Sequence, residues 1–148
     1  MGESTEPPPL STAFLLMAVG RQVRERIERD LASEGIALRH VSALGHLSRN
    51  PGMSYSELAR RASVTPQSMQ ATLRKLEARG AIEHDGESGR GRTARLSVTA
   101  EGRRLLALGT AAISAADEHV EAALDGRLGA RPGLSLLEVL RRLDHDDS

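Results

Sequence analysis

The 148-residue sequence has no cysteine and no tryptophan, and only one tyrosine and one phenylalanine. Without thiols there is no disulfide, no thiolate metal site and no redox-sensing cysteine, which fits a cytoplasmic protein. So few aromatic rings leave few partners for stacking a planar ligand. No apolar run approaches the roughly 18 residues that a membrane span needs, so no membrane association is expected. The opening MGESTEPPPL lacks a basic segment, so it does not read as a secretory signal. Residues 1–9 read instead as a short disordered tail.

Catalytic machinery is missing as well. No serine sits in a G-x-S-x-G elbow, and no glycine-rich loop follows a strand and opens a helix. The five histidines are scattered: His40 and His46 are too far apart to share a helical face, and His119 has only alanines at the neighbouring helical positions on both sides. His145 lies in an acidic tail that reads as solvated. Neither an enzyme, nor a cofactor, nor a metal site is expected.

Net charge is zero, with 20 basic and 20 acidic residues. The balance is uneven along the chain. Between Ser54 and Thr99, Arg60, Arg61, Arg74, Lys75, Arg79, Arg90, Arg92 and Arg95 face only Glu57, Glu77, Glu83, Asp85 and Glu87. Local field rather than total charge decides whether a surface attracts phosphate.

The chain reads as α-α-α-α-β-β-α-α. Apolar residues recur at Leu15, Val19, Val23, Ile27 and Leu31, widened by Phe14 and Ala18, and predict a long helix from about Leu10 to Ser33, ended by Gly35. A second helix spans about Arg39 to Ser48, with Val41, Leu44 and Leu47 inward, and stops at Asn50-Pro51-Gly52. Ser54 and Glu57 fit a capping box opening a short third helix whose inward face is Leu58 and Ala62. Ser63-Val64 makes a turn. Thr65-Pro66 opens a fourth helix with Met69, Leu73 and Leu76 on one side, closed by Arg79-Gly80.

The period then changes. Ala81 to His84 and Ala94 to Thr99 read as strands of a hairpin around a polar, glycine-rich tip. Thr99 caps a helix running to about Leu124, and Leu136, Leu137, Leu140 and Leu143 mark a final helix after a break from Gly126 to Gly133.

Function is concentrated in helix, tight turn, helix and hairpin. The outer face of the fourth helix carries Gln67, Gln70, Ala71 and Arg74, flanked by Ser68 and Lys75, with no acid before Glu77. Amides near a helix N-terminus suit base edges in a major groove, where glutamine reads adenine in bidentate fashion. Arg74 and Lys75 suit phosphates, which position a protein without reading sequence. A polar helix face alone is usually just solvated. Arg90 and Arg92 between glycines of the hairpin tip favour DNA, because arginines on a loop suit a narrow minor groove. A winged-helix module that binds protein instead of DNA is the alternative.

Three stretches carry a resemblance: Leu58-Ala59-Arg60-Arg61-Ala62-Ser63-Val64-Thr65-Pro66-Gln67-Ser68-Met69, Leu76-Glu77-Ala78-Arg79-Gly80-Ala81-Ile82, and Leu96-Ser97-Val98-Thr99-Ala100-Glu101-Gly102. Together they closely resemble the MarR family of winged helix-turn-helix transcription regulators. The resemblance implies a homodimer with interlocking first and last helices, straddling a pseudo-palindromic double-stranded operator. In many members it also implies repression relieved by a small acid. It assigns DNA contact to Gln67, Ser68, Gln70, Arg74 and Lys75, the wing arginine to Arg92, and a phosphate contact to Ser54. Two features depart from the pattern. The wing's usual Asp-x-Arg brace is replaced by Arg90-Gly91-Arg92, which implies a more mobile and more basic wing. Ala71 replaces a longer polar side chain, so base preference leans on the glutamines.

The expected architecture is mainly α with a small β-hairpin wing: a winged helix-turn-helix module over 36–99, with a helical dimerisation region built from 10–35 and 100–145. Burying a leucine is worth roughly 1.5–3 kcal/mol. The apolar stripes of the terminal helices therefore favour exchange with a second copy. Operator sequence and effector identity are not encoded in any motif, and no effector-binding residue is assigned.

Overall fold

The computed structural model describes residues 10–85 and 95–146. The expected N-terminal tail and the hairpin tip bearing Arg90 and Arg92 lie outside the described residues. The chain is mainly helical, in the order α1 (Thr12–Ala32), α2 (Leu38–Arg49), α3 (Tyr55–Arg61), α4 (Pro66–Ala78), β1 (Ile82–Asp85), β2 (Arg95–Val98), α5 (Ala100–Leu124) and α6 (Pro132–Asp146). Contacts divide it after Ala112 into two compact units.

The core of the first unit is aliphatic. Leu31, Leu44, Leu47, Leu58, Leu73, Leu76, Leu96 and Leu105 are its largest fully buried side chains. They come from α1 to α5 and the sheet, so a single apolar centre holds helix, turn, helix and hairpin together. β1 and β2 pair antiparallel, with Ile82 opposite Val98 and His84 opposite Leu96. Leu96 also bridges to Met53: its carbonyl accepts from Gly52 N–H at 3.0 Å and its N–H donates to Met53 O at 3.2 Å. The hairpin stem is thereby fastened to the loop between α2 and α3.

Several boundaries differ from expectation for local reasons. α1 starts at Thr12 because the Ser11 hydroxyl accepts from Phe14 N–H at 3.4 Å. In α3, Leu58 and Ala59 are buried, whereas Ala62 is only half-buried. Ala62 is the C-cap, and the chain turns away after it through Ser63, whose φ of 53° is left-handed. The helix ends before the second inward position predicted by a four-residue step can point inward.

α1 buries only the end of its stripe. Ile27 and Leu31 are buried, while Phe14, Leu15, Leu16, Met17 and Val19 are exposed. In the second unit, α6 begins at Pro132, earlier than the leucine pattern suggested. Proline loses no hydrogen bond at the first helical position, and Gly133 is tolerated inside the first turn. Leu134, Leu136, Leu137, Val139, Leu140 and Leu143 of α6 are all exposed.

Candidate nucleic-acid interface

The helix-turn-helix is held by caps written into the sequence. Ser54 Oγ accepts from Glu57 N–H at 3.3 Å, and Ser54 N–H donates to Glu57 Oε2 at 2.8 Å. The Ser54 amide is the main reason the Glu57 carboxyl lies below the usual carboxylate range. α4 opens the same way, with Thr65 Oγ1 accepting from Ser68 N–H at 3.2 Å and Pro66 in the first turn. At the other end Gly80 adopts a φ of 66°, and Gly80 and Ala81 N–H return to Glu77 and Leu76 carbonyls at 2.8 and 2.9 Å. This is the glycine-terminated helix end.

α4 is anchored by Met69, Thr72, Leu73 and Leu76, all buried. The Thr72 hydroxyl is satisfied by Ser68 O at 3.0 Å. At 3.6 residues per turn, Gln67, Ala71 and Arg74 fall directly opposite that anchor, with Gln70 on one shoulder and Ser68 and Lys75 on the other. All six are exposed. Among the described residues, Gln67, Gln70, Arg74 and Lys75 have no side-chain hydrogen bond or ion pair. Ala71 keeps the middle of this face low, so a flat partner can approach between the glutamines.

The flanks point to different neighbours. Arg74 is close enough to the Tyr55 phenol of α3 to oppose the rise in pKa that burial gives it. Lys75 lies on the side of α2, where it helps hold the proton off His40. Ser54, half-buried, sits at the start of α3 with its hydroxyl oxygen committed to the cap. Its hydroxyl proton can still be donated. Beside it a cleft of about 330 Å³ is lined by Pro51, Gly52, Met53, Glu57, Arg60 and Arg61. Arg60 and Arg61 are exposed on α3 and add positive charge beside the cap, where the sequence pattern had placed them only in the basic excess of the central segment.

The wing stem is braced to α4 by a contact that the sequence did not reveal. Glu77 Oε1 of α4 meets His84 Nε2 of β1, and the Tyr55 ring lies 6.1 Å from that imidazole, tilted. Glu77, two turns after Gln70 on the same shoulder of α4, is thereby engaged by the stem. Among the described residues no group of three His, Asp or Glu is placed to hold a metal ion, and no helix is long and apolar enough to cross a membrane.

Relatives of known type share this architecture. The MarR family model matches residues 34–92. The HTH-type transcriptional repressor Rv2887 of Mycobacterium tuberculosis is 40% identical over 146 residues, which is 99% of this chain and 100% of that protein. A crystal structure of the Mycobacterium tuberculosis MarR family protein Rv2887 in complex with DNA superposes with a TM-score of 0.69 at 36% identity, covering 90% of this chain and 98% of that one. The same protein in complex with salicylic acid superposes with a TM-score of 0.65 at 37% identity, covering 92% and 98%. The capped helix pair, the hairpin behind it and the full-length identity lead to one assignment: this chain belongs to the MarR family.

Proposed function

We propose that the chain is a dimeric, sequence-specific DNA-binding repressor of transcription whose grip is released by a small organic acid. The observation that carries this reading is the exposed, acid-free face of α4, presented by a helix-turn-helix capped at both ends. Its near-full-length relation to a repressor crystallised with DNA supports it, and the salicylic acid complex of that relative supports the effector.

In this reading α4 enters the major groove N-terminus first. Gln67 and Gln70 read base edges, while Ser54, Ser68, Arg74 and Lys75 hold the backbone. Arg90 and Arg92 reach the flanking minor groove. The module over 36–99 reads DNA, and 10–35 with 100–145 pair the two copies. The open stripes on α1 and α6 are the surfaces a partner copy covers. Two-fold symmetry then sets the half-sites about one helical turn apart, roughly 10 bp. Such a protein performs no catalysis and acts in the cytoplasm, where bacterial DNA lies.

Titration of an operator fragment with Gln70→Ala, Arg74→Ala and Arg92→Ala tests the surface. Gln70→Ala is expected to relax preference at one base pair by about 1–3 kcal/mol. Arg74→Ala and Arg92→Ala are expected to weaken binding to all sequences and flatten its salt dependence. If none of the three changes affinity or preference, the surface is wrongly assigned.

A further inference from the structure

Four charged side chains from three separate stretches of the sequence meet at the C-terminal end of α4. Arg79 is its C-cap, Glu34 lies just after α1, and Glu101 and Arg104 belong to the first turns of α5. Arg104 grips Glu101 with both Nη2 and Nε, at 2.7 and 2.8 Å, and reaches Glu34 Oε2 at 3.1 Å. Arg79 Nη2 lies 3.6 Å from both Glu34 Oε2 and Glu101 Oε1, and its Nη1 donates to the Glu34 backbone carbonyl. The result is an alternating ring of two cations and two anions. Its hydrogen bonds to Arg104 are the main reason Glu34 and Glu101 lie below the usual carboxylate range.

The same helix end is tied a second time. Thr99 Oγ1 donates to Gly80 O at 2.6 Å, and Thr99 N–H donates to Ala81 O at 3.1 Å. α4 is thus fastened, at the end away from its glutamines, to both α1 and the start of α5. Half-exposed ion pairs contribute little to stability. Geometry is the better account of their presence here. With a rise of about 1.5 Å per residue, Gln67 stands roughly 18 Å from Arg79. A swing of about 10° at Arg79 would move Gln67 by roughly 3 Å, close to one base step of about 3.4 Å.

We propose that the Glu34–Arg79–Glu101–Arg104 ring sets the angle of the recognition helix against α1 and α5, and so makes the dimer selective for the spacing between operator half-sites. Arg79 is a positioning residue: it touches no base, and it acts through the direction of α4. This inference rests on the DNA-binding reading above.

The test uses the full-length protein and three duplexes: its selected operator, and the same operator with one base pair added or removed between the half-sites. Fluorescence anisotropy gives the ratio of dissociation constants. Wild type is expected to lose about tenfold in affinity on either altered spacing. The double variant Glu34→Gln/Glu101→Gln keeps shape and removes the anions, and Arg79→Lys keeps charge and removes the fork. Each is expected to reduce that ratio by about threefold. Preference for the base sequence within a half-site, measured on operators substituted at single positions, should remain that of wild type. A merely structural role would lower both kinds of discrimination together, and that result overturns the proposal. An unchanged spacing ratio in both variants, with wild type binding normally, overturns it while leaving the DNA-binding reading intact. Failure of wild type to select any DNA would remove both.

Discussion

The same small substitution at two glycines is expected to move stability in opposite directions. Gly102 lies in the first turns of α5 against the junction of α4 and β1. A Cβ there would stand 2.1 Å from the Ala81 carbonyl oxygen and 2.6 Å from Val98 Cγ1. The first of these is backbone, and it already accepts Thr99 N–H at 3.1 Å. α5 would have to retreat from Ala81 by more than an ångström, and the hydrogen bond would go with it. Overpacking costs about 1–3 kcal/mol and the strained bond about 1 kcal/mol, while alanine recovers about 1 kcal/mol of helix propensity. The expected net loss for Gly102→Ala is about 1–3 kcal/mol. Gly45 in α2 offers the contrast. Its nearest neighbours are guanidinium atoms of Arg49, at 3.4 Å and beyond, which can move aside. Gly45→Ala is therefore expected to gain up to about 1 kcal/mol. In a chain of this length each kcal/mol shifts the thermal midpoint by about 2–4 °C. Far-UV circular dichroism on thermal and urea unfolding measures both, at one protein concentration because a dimer's midpoint moves with concentration. A Gly102→Ala protein as stable as wild type would refute the close crossing of α5 over Ala81.

Two further outcomes follow from the structure. Val19 is half exposed, at 53%, on the open stripe of α1. Val19→Glu should shift the protein from dimer toward monomer in sedimentation velocity and weaken operator binding, whereas an unaltered dimer would place the subunit interface elsewhere. Acid should destabilise the fold in two stages. Burial, with Arg39 and Lys75 nearby, holds His40 below the ordinary histidine value of 6.5, and its neutral ring accepts Ala37 N–H through Nδ1 at 2.8 Å. His46 is lowered as well, chiefly by burial. Because the unfolded chain takes up these protons first, their stabilisation is complete above about pH 6.5 and is lost as pH falls below it. Glu34, Glu57 and Glu101, lowered from 4.5 by their partners, add a second loss below about pH 4.5. Urea midpoints measured across pH should show both stages, and His40→Asn should flatten the upper one. A profile level from pH 7 to 5 would contradict the neutral, buried His40.

What could be read in the sequence was local. The caps at Ser54 and Thr65, the glycine after α4 and the apolar anchor of Met69, Leu73 and Leu76 each depend on residues three or four apart, where side chains on a helix meet. The glutamine face followed from the same spacing by subtraction. Ala62 misled because period alone does not say where a short helix stops; the left-handed Ser63 decides that. The Glu77–His84 brace and the ring around Arg79 were invisible for a different reason. Glu34 and Arg104 are 70 residues apart, and nothing in the neighbourhood of either predicts the meeting. Much of the α1 stripe lies open in the single chain, because amphipathic periodicity identifies a face to be covered without saying by which chain.

The most direct test of the central claim is selection of DNA fragments from a random pool by the purified protein, followed by sequencing. The expected product is a pseudo-palindromic site with half-sites about one helical turn apart. Gln70→Ala is expected to change the bases enriched within each half-site while leaving the symmetry alone. Enrichment of no sequence, or a site whose base preferences survive removal of both Gln67 and Gln70 side chains, would contradict it.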